Sequence, residues 1–432
     1  MNDDGFKAVL LRGGLGSLVL KVASTLLGLL VAVVLARALG PEGYGEYAYV
    51  FALISMLAIP TQVGLPIIVV RETARAQAAK RPGLMLGLWR WSSLIVAGLS
   101  VLIALLALAG VWLAGDRFTP AQLSTFYFGL VLVPLVALGN LRGAALRGLR
   151  HVVLGQLPES ILRPGFMVLL LLTAYLLLGR SLDASVAMGL QVLSSALSFI
   201  IGAALLWWVR PEELWGGPAP EYQVRPWLQA VMPLALVSGI GLINSQVDIL
   251  MLGWFHTAAD VGIYRVAASS VGLIGFGMQA ITSVIAPHIA RLHAQGDLRR
   301  LQRLVSVSAK IMMLLALPVF LTFTIFGDTL LGWVFGKEFE AGYFALAILA
   351  CGSLVNVAMG SVGALLNMSG HERDTARGAT IAAAINVVLN LALIPPYGIS
   401  GAAIATACSI SVYNIYLSRV VRIRIGIRSS VF

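Results

Sequence analysis

The residues able to do chemistry in this chain are polar side chains set inside long apolar stretches, so their types and spacing come first. Lys21, Ser24, Thr25 and Gly28 follow i, i+3, i+4, i+7 spacing, which puts a cation and two hydroxyls on one helical stripe. An anion such as a phosphate can bind there; the plainer alternative is that Lys21 snorkels its ammonium to the headgroups. Asn244 and Asp248 lie one turn apart. Arg265, Ser269, Gly272 and Gln279 share a face of the following stretch. Asp248 and Arg265 are each 8.5 positions from the hairpin midpoint at 256.5, hence at similar depth. That spacing suits a bracing ion pair, or a gating pair that exchanges partners when a phosphate or a coupling cation arrives. Asn356, Gly360, Gly363 and Asn367 form another stripe, and Asn386 and Asn390 are one turn apart; amides and small residues of this kind are common packing elements between membrane helices. Glu159 and Arg163, at i, i+4, read as a local pair. No catalytic constellation emerges, and Cys351 and Cys408 sit in apolar runs with no metal-ligand spacing. There is no GxxxxGK[ST] loop and no HExxH, so neither a nucleotide-driven pump nor a zinc protease is supported, and no cofactor or metal is expected.

The elements that carry these residues lie in a chain of which 59% of the 432 positions are hydrophobic and 11% charged, far from the composition of soluble domains. A spanning helix needs about 20 mostly apolar residues. Twelve stretches qualify, near 16–38, 47–70, 91–114, 124–141, 160–179, 184–209, 227–254, 262–287, 307–327, 341–368, 376–395 and 401–418. The runs are continuous rather than alternating, so the expectation is an all-α polytopic membrane protein and not a barrel. Pro60 and Pro66, Pro134 and Pro318 are expected to kink their spans.

Of the 30 Lys and Arg residues, 24 fall on one side of an even-numbered weave; the other side holds Arg37, Arg117, Arg180, Arg265 and Lys337, with Lys21 inside the first span. The positive-inside rule then makes both termini cytoplasmic, in a cell inner (plasma) membrane. The net charge of +11 is a topology signal and an attraction to anionic membrane lipids, so nucleic acid is not an expected partner. The first apolar run is too long, and lacks the small-residue pattern, for a cleaved signal.

Tyr44-Gly45-Glu46-Tyr47 aligns with Val261-Gly262-Ile263-Tyr264 at a separation of 217, close to half the chain. Pro66 and Arg71 correspond loosely to Pro287 and Arg291, and Leu146-Arg147-Gly148 to Met368-Ser369-Gly370. Six spans separate the copies, and six is even, so the reading is a parallel repeat about an axis along the membrane normal. The expected domains are a six-helix lobe at 1–209, a cytoplasmic linker at 210–226, rich in Pro and Gly, and a second six-helix lobe at 227–432, with substrate between the lobes. Aqueous segments are at most about 20 residues, too short for a catalytic domain.

Leu35-Ala-Arg-Ala-Leu-Gly-Pro-Glu-Gly-Tyr-Gly-Glu-Tyr47 resembles the start of polysaccharide biosynthesis exporters, the Wzx-type flippases of the multidrug/oligosaccharidyl-lipid/polysaccharide exporter superfamily. Pro233 onward, with Asn244, Asp248 and Val261-Gly-Ile-Tyr264, resembles the family's seventh and eighth spans. Asn386-Val-Val-Leu-Asn390 and Ile394-Pro-Pro-Tyr-Gly-Ile-Ser-Gly-Ala-Ala-Ile-Ala-Thr406 resemble its eleventh and twelfth. The resemblance implies a MATE-like bundle of two six-helix lobes, alternating access, and export of an undecaprenyl-pyrophosphate-linked oligosaccharide to the periplasmic leaflet, serving O-antigen or exopolysaccharide synthesis. A polysaccharide polymerase and a chain-length regulator are the implied partners. A cationic cavity is also implied, with Lys21, Ser24, Thr25, Asn244 and Arg265 as cargo contacts and Asp248 with Arg265 as the coupling or gating pair. Lipid II or drug export within the superfamily, and a membrane-embedded glycan polymerase or ligase, are the alternatives.

Overall fold

The computed structural model describes the chain except residues 1–2, 63, 115–118, 179–181, 232–245 and 432, and leaves aside the side chains of 3–15, 17, 18, 114 and 178. Among the described residues the chain is helical throughout and forms no strand, and nine helices are long and apolar enough to cross a membrane. The protein is therefore a multi-pass, all-α membrane protein. Many large apolar side chains lie open at the surface, among them Leu177, Trp112 and Trp208. In water such a surface would be a liability; against acyl chains it is the expected exterior of a bundle whose backbone groups are satisfied within each helix.

Two of the nine helices each carry two of the expected spans. Asp3–Leu57 has 55 residues, which if straight would be about 80 Å long, well over twice a bilayer's hydrocarbon core. It bends at Gly40, whose φ of 67° and ψ of −179° are non-helical, and Pro41 opens the second leg, where its missing N–H costs nothing. Glu372–Arg424 is broken in the same manner at Gly398, with φ 50° and ψ −126°, just after Pro395 and Pro396. The span expected at 227–254 lies partly outside the described residues, which contain its start, helical to Val231, and its end, Val247–Phe255.

The prolines behave unequally. Around Pro60 and Pro66 the second span is interrupted, with Gly64 in the left-handed region between Ile59–Gln62 and Leu65–Ala78. A break at Val131 separates Pro120–Leu130 from Leu132–Gly148, three residues before Pro134. Pro318, by contrast, sits inside an uninterrupted Leu298–Ile325, so no break in the helix accompanies it. The stripe Asn356, Gly360, Gly363, Asn367 is not one helical face either: Gly360, at φ 71°, ends Tyr343–Met359 before Val362–Met368 begins.

The chain divides into two compact units, 1–31 with 50–246 and 32–49 with 247–432. In the first unit the segment at 210–223 is strapped down. Glu221 pairs with Arg81 and its N–H bonds to the Gly83 carbonyl at 2.9 Å, while a Cβ at Gly87 would strike the Glu221 backbone. Trp227 follows, buried among Leu65, Ile68, Leu88 and Leu141. The expected pair Glu159–Arg163 forms at 3.1 Å, and Glu159 also meets the buried Arg142 at 3.4 Å. Arg142 lies where Gly139 and Gly202 have no side chain, and stacks on the Phe199 ring.

In the second unit the two glycines of the internal repeat face one another. A Cβ at Gly45 would strike the Ala258 carbonyl oxygen and the Gly262 nitrogen, and a Cβ at Gly262 would strike the Pro41 carbonyl oxygen. Two helices thus cross backbone to backbone, as small residues permit in membranes. Gly45→Ala and Gly262→Ala should each destabilise the protein by about 1–3 kcal/mol, because backbone atoms cannot rotate away. Gly272→Ala, on the same helix but with open space around it, should be neutral or slightly stabilising, since Ala favours the helix. Thermal unfolding of the purified variants in detergent checks this; equal effects at Gly262 and Gly272 would refute the close crossing.

Candidate functional site

A carboxylate in hydrocarbon needs donors from its own fold, and Asp248 has three. It sits one residue inside Val247–Phe255 and is half-buried. The Tyr264 hydroxyl donates to Oδ2 at 2.9 Å, the Thr406 hydroxyl donates to the same oxygen, and the Asn390 amide donates to Oδ1 at 2.6 Å. Asn390 is fully buried and its amide also reaches the Asn386 carbonyl oxygen at 3.1 Å. Its own Oδ1 has no hydrogen-bond partner. Rotating that amide by half a turn would turn an oxygen toward Asp248 and gather carboxylate, amide and hydroxyl oxygens around one point. Such a set suits a proton or a small monovalent cation, which hard oxygen donors favour. No cluster of three or more His, Cys, Asp or Glu side chains able to hold a metal occurs among the described residues.

Local structure explains the convergence. The hairpin between Val247–Phe255 and Ala258–Ala294 is fixed by a capping box, Thr257 with Asp260. His256, at its tip, hydrogen-bonds through Nε2 to the Ile394 carbonyl oxygen at 2.8 Å, four residues before the Gly398 bend. Asn390 precedes that bend and Thr406 follows it, so one break in one helix supplies donors from both its legs.

Asp248 and Arg265 do not form an ion pair: no bridge joins them within 4 Å. Arg265 instead engages the hydroxyl of buried Tyr44, which also bonds Ser269. Equal distance from the hairpin midpoint gave the level correctly, but neighbouring residues on a helix point about 100° apart, and it is Tyr264 that faces Asp248. Tyr264 and Thr406 were not singled out as site residues, although both end quoted sequence blocks; a phase argument added to the depth argument would have found Tyr264. Asn386 and Asn390, read as packing amides, are buried as expected of that role and also hold the carboxylate.

In the first unit Lys21 is exposed, Ser24 and Thr25 are half-buried, and the Thr25 hydroxyl bonds back to the Lys21 carbonyl at 3.0 Å. Nothing lies within 4 Å of where a Cβ on Gly28 would stand, so the stripe fronts open space at that point. No carboxylate pairs with Lys21 among the described residues. Asn244 lies outside the described residues.

Known proteins bear on this geometry. The chain is 32% identical over 195 residues to a probable low-salt glycan biosynthesis flippase, Agl15, of Haloferax volcanii, an alignment covering 44% of this chain and 41% of that protein. It is 25% identical over 403 residues to a probable flippase, AglR, of the same organism, covering 92% and 80%. Among solved structures, an inward-facing MATE-family multidrug resistance transporter superposes with TM-score 0.75 at 16% identity, covering 93% of this chain and 94% of that one. The lipid II flippase MurJ, inward closed, superposes with TM-score 0.74 at 13% identity, covering 94% and 87%. These likenesses establish the exporter fold. Residues 10–293 match the family described as polysaccharide biosynthesis protein, and the chain belongs to that family.

Proposed function

We propose that this protein is a flippase that moves an undecaprenyl-pyrophosphate-linked oligosaccharide from the cytoplasmic to the periplasmic leaflet by alternating access. The observation that carries the reading is the family match over residues 10–293 on a chain that, among its described residues, consists of spanning helices, its longest segment without α-helix being 210–223. That segment is strapped to the first unit and offers no catalytic domain, which disfavours a polymerase or ligase. A pyrophosphate with a glycan head cannot cross hydrocarbon bare, so a polar path must be offered while the polyprenyl tail stays in lipid. Lys21 in the first unit and Arg265 in the second are the cargo's phosphate contacts in this reading, with Ser24, Thr25 and Asn244 as further polar contacts.

With an interior-negative potential of about 100 mV, exporting about two net negative charges runs down the potential and is favourable by about 4–5 kcal/mol. Direction therefore needs no nucleotide. Resetting the empty carrier is assigned to Asp248: a proton or monovalent cation there competes with the donors from Tyr264, Asn390 and Thr406. Because Arg265 is bonded to Tyr44 rather than Asp248, it is free of the carboxylate and available to an anion. The lobes at 1–209 and 227–432, inner-membrane placement and cytoplasmic termini belong to the same proposal, with a polysaccharide polymerase and chain-length regulator as downstream partners.

Lys21→Ala and Arg265→Ala should abolish surface glycan while the protein remains in the membrane; undiminished glycan from both removes these residues from the cargo path. Exchanging charges in the Asp248→Arg, Arg265→Asp double variant should not restore function, since the two residues serve separate networks, and recovery would mean that they brace one another. Asp248→Asn should leave the protein folded yet make lipid-linked glycan transport in proteoliposomes insensitive to imposed sodium and proton gradients. A gradient response equal to that of the wild type would take coupling away from Asp248. A periplasm-active reporter fused after Phe432 should stay silent.

A further inference from the structure

Within the first unit a cavity of about 300 Å³ lies between the helices Leu65–Ala78, Pro82–Ala114, Leu132–Gly148 and Ala184–Val209, closed on one side by Leu214 of the 210–223 segment. Its wall is mostly apolar, with Phe199, Leu206 and Trp207 prominent, yet it includes two guanidinium groups, Arg142 and Arg210. Arg142 is 6% exposed, and its charge is only partly matched by Glu159, which is shared with Arg163. Arg210 has no carboxylate and no hydrogen-bond acceptor among the described residues. Two indoles lie against it, the guanidinium carbon 3.4 Å from the Trp207 centroid and 4.3 Å from that of Trp215, with the rings themselves 6.0 Å apart at 68°. Nε of each arginine is buried without an acceptor.

Buried donors left unsatisfied are costly and rare in native structures. A guanidinium held against indole rings is positioned by them and can still turn N–H groups of its fork to a phosphate for bidentate contact. Exposed Trp207, Trp208 and Trp215 beside it are of the type that sits at headgroup depth. An apolar chamber with a cationic rim at that depth matches one class of molecule by both its ends, and basic pockets between membrane helices commonly take acidic lipid headgroups. We propose that this cavity is a binding site for a resident anionic glycerophospholipid, its phosphate held by Arg210 near Arg142 and one acyl chain lying in the apolar part. With Leu214 and Trp215 on its border, the lipid also fastens the 210–223 segment to the first unit. This site is separate from Lys21, Arg265 and Asp248 and does not depend on the cargo proposed above.

The test uses the full chain, purified and exchanged into nanodiscs of phosphatidylcholine containing graded phosphatidylglycerol, with Tm and native mass spectrometry as readouts. The wild type should retain one phosphatidylglycerol in preference to phosphatidylcholine and gain thermal stability as its fraction rises. Arg210→Gln should weaken that retention about tenfold or more, the weight of one charge-assisted bond. Ala203→Phe, which fills the cavity and leaves both arginines in place, should do the same and decides the matter if the Arg210 variant fails to fold. Equal retention of the two lipids by the wild type, or undiminished phosphatidylglycerol on either variant, overturns the proposal. Displacement of phosphatidylglycerol by polyprenyl phosphate at equal concentration also overturns it, by giving the site to the cargo's lipid.

Discussion

Hydrocarbon completes no broken hydrogen bond and solvates no charge, and that constraint organises what is seen here. A polar group kept inside a span is costly unless another meets it, and the chain meets several in small clusters that draw on more than one segment, while Nε of Arg142 and Arg210 and Oδ1 of Asn390 stay unmatched. Asp248 takes donors from three side chains on two helices. Arg142 takes a carbonyl at Phe199 and a share of Glu159. Even the π-helical turn Pro158–Leu162 has its first carbonyl capped at 2.6 Å, by the Ser198 hydroxyl. Arg37 likewise donates to the carbonyls of Trp333 and Val334 at the end of Gly327–Val334, where a cation suits the helix dipole. A charge inside this protein is therefore read by asking who completes it.

The same constraint explains what could be foreseen from residues alone. The apolar helical spans, the interruption around Pro60 and Pro66, and the Glu159–Arg163 pair follow from apolar runs, helix breakers and i, i+4 spacing, all local properties. The partner of Asp248 did not follow, because it depends on helical phase across a hairpin and on which leg of a distant bent helix comes near; Asn390 and Thr406 are 142 and 158 positions away. Composition announces that Asp248 needs a partner, while only packing says that the partner is neutral. Pro318 marks a further local signal whose outcome is decided by packing: Leu298–Ile325 runs through it as one helix, whereas the span around Pro60 and Pro66 is interrupted.

Gly45 and Gly262 lie between these cases. As letters they mark a repeat, and a repeat by itself does not say why glycine recurs. The structure gives the reason: each stands where the other's helix passes, and a methyl group at either would fall on a backbone carbonyl. Tyr264, two residues beyond Gly262, is turned toward Asp248, and Tyr44, one residue before Gly45, is turned toward Arg265. The close crossing thus sets Asp248 and Arg265 beside tyrosines whose positions it fixes.

The donors to Asp248 also have a mechanical consequence under the flippase reading. Asn390 and Thr406 belong to opposite legs of Glu372–Arg424, and Gly398 between them is the one non-helical residue of that element. While both bind the same carboxylate, the angle at Gly398 is held; His256 holds it from outside through the Ile394 carbonyl. A proton on Asp248 removes an acceptor, and a cation beside it demands oxygens where the Asn390 amide now presents its N–H. Either change loosens one leg relative to the other at a residue with no side chain to resist it. An ion arriving at a half-buried carboxylate can in this way alter the course of a whole span, which is the coupling that a carrier needs and that a static anion site does not.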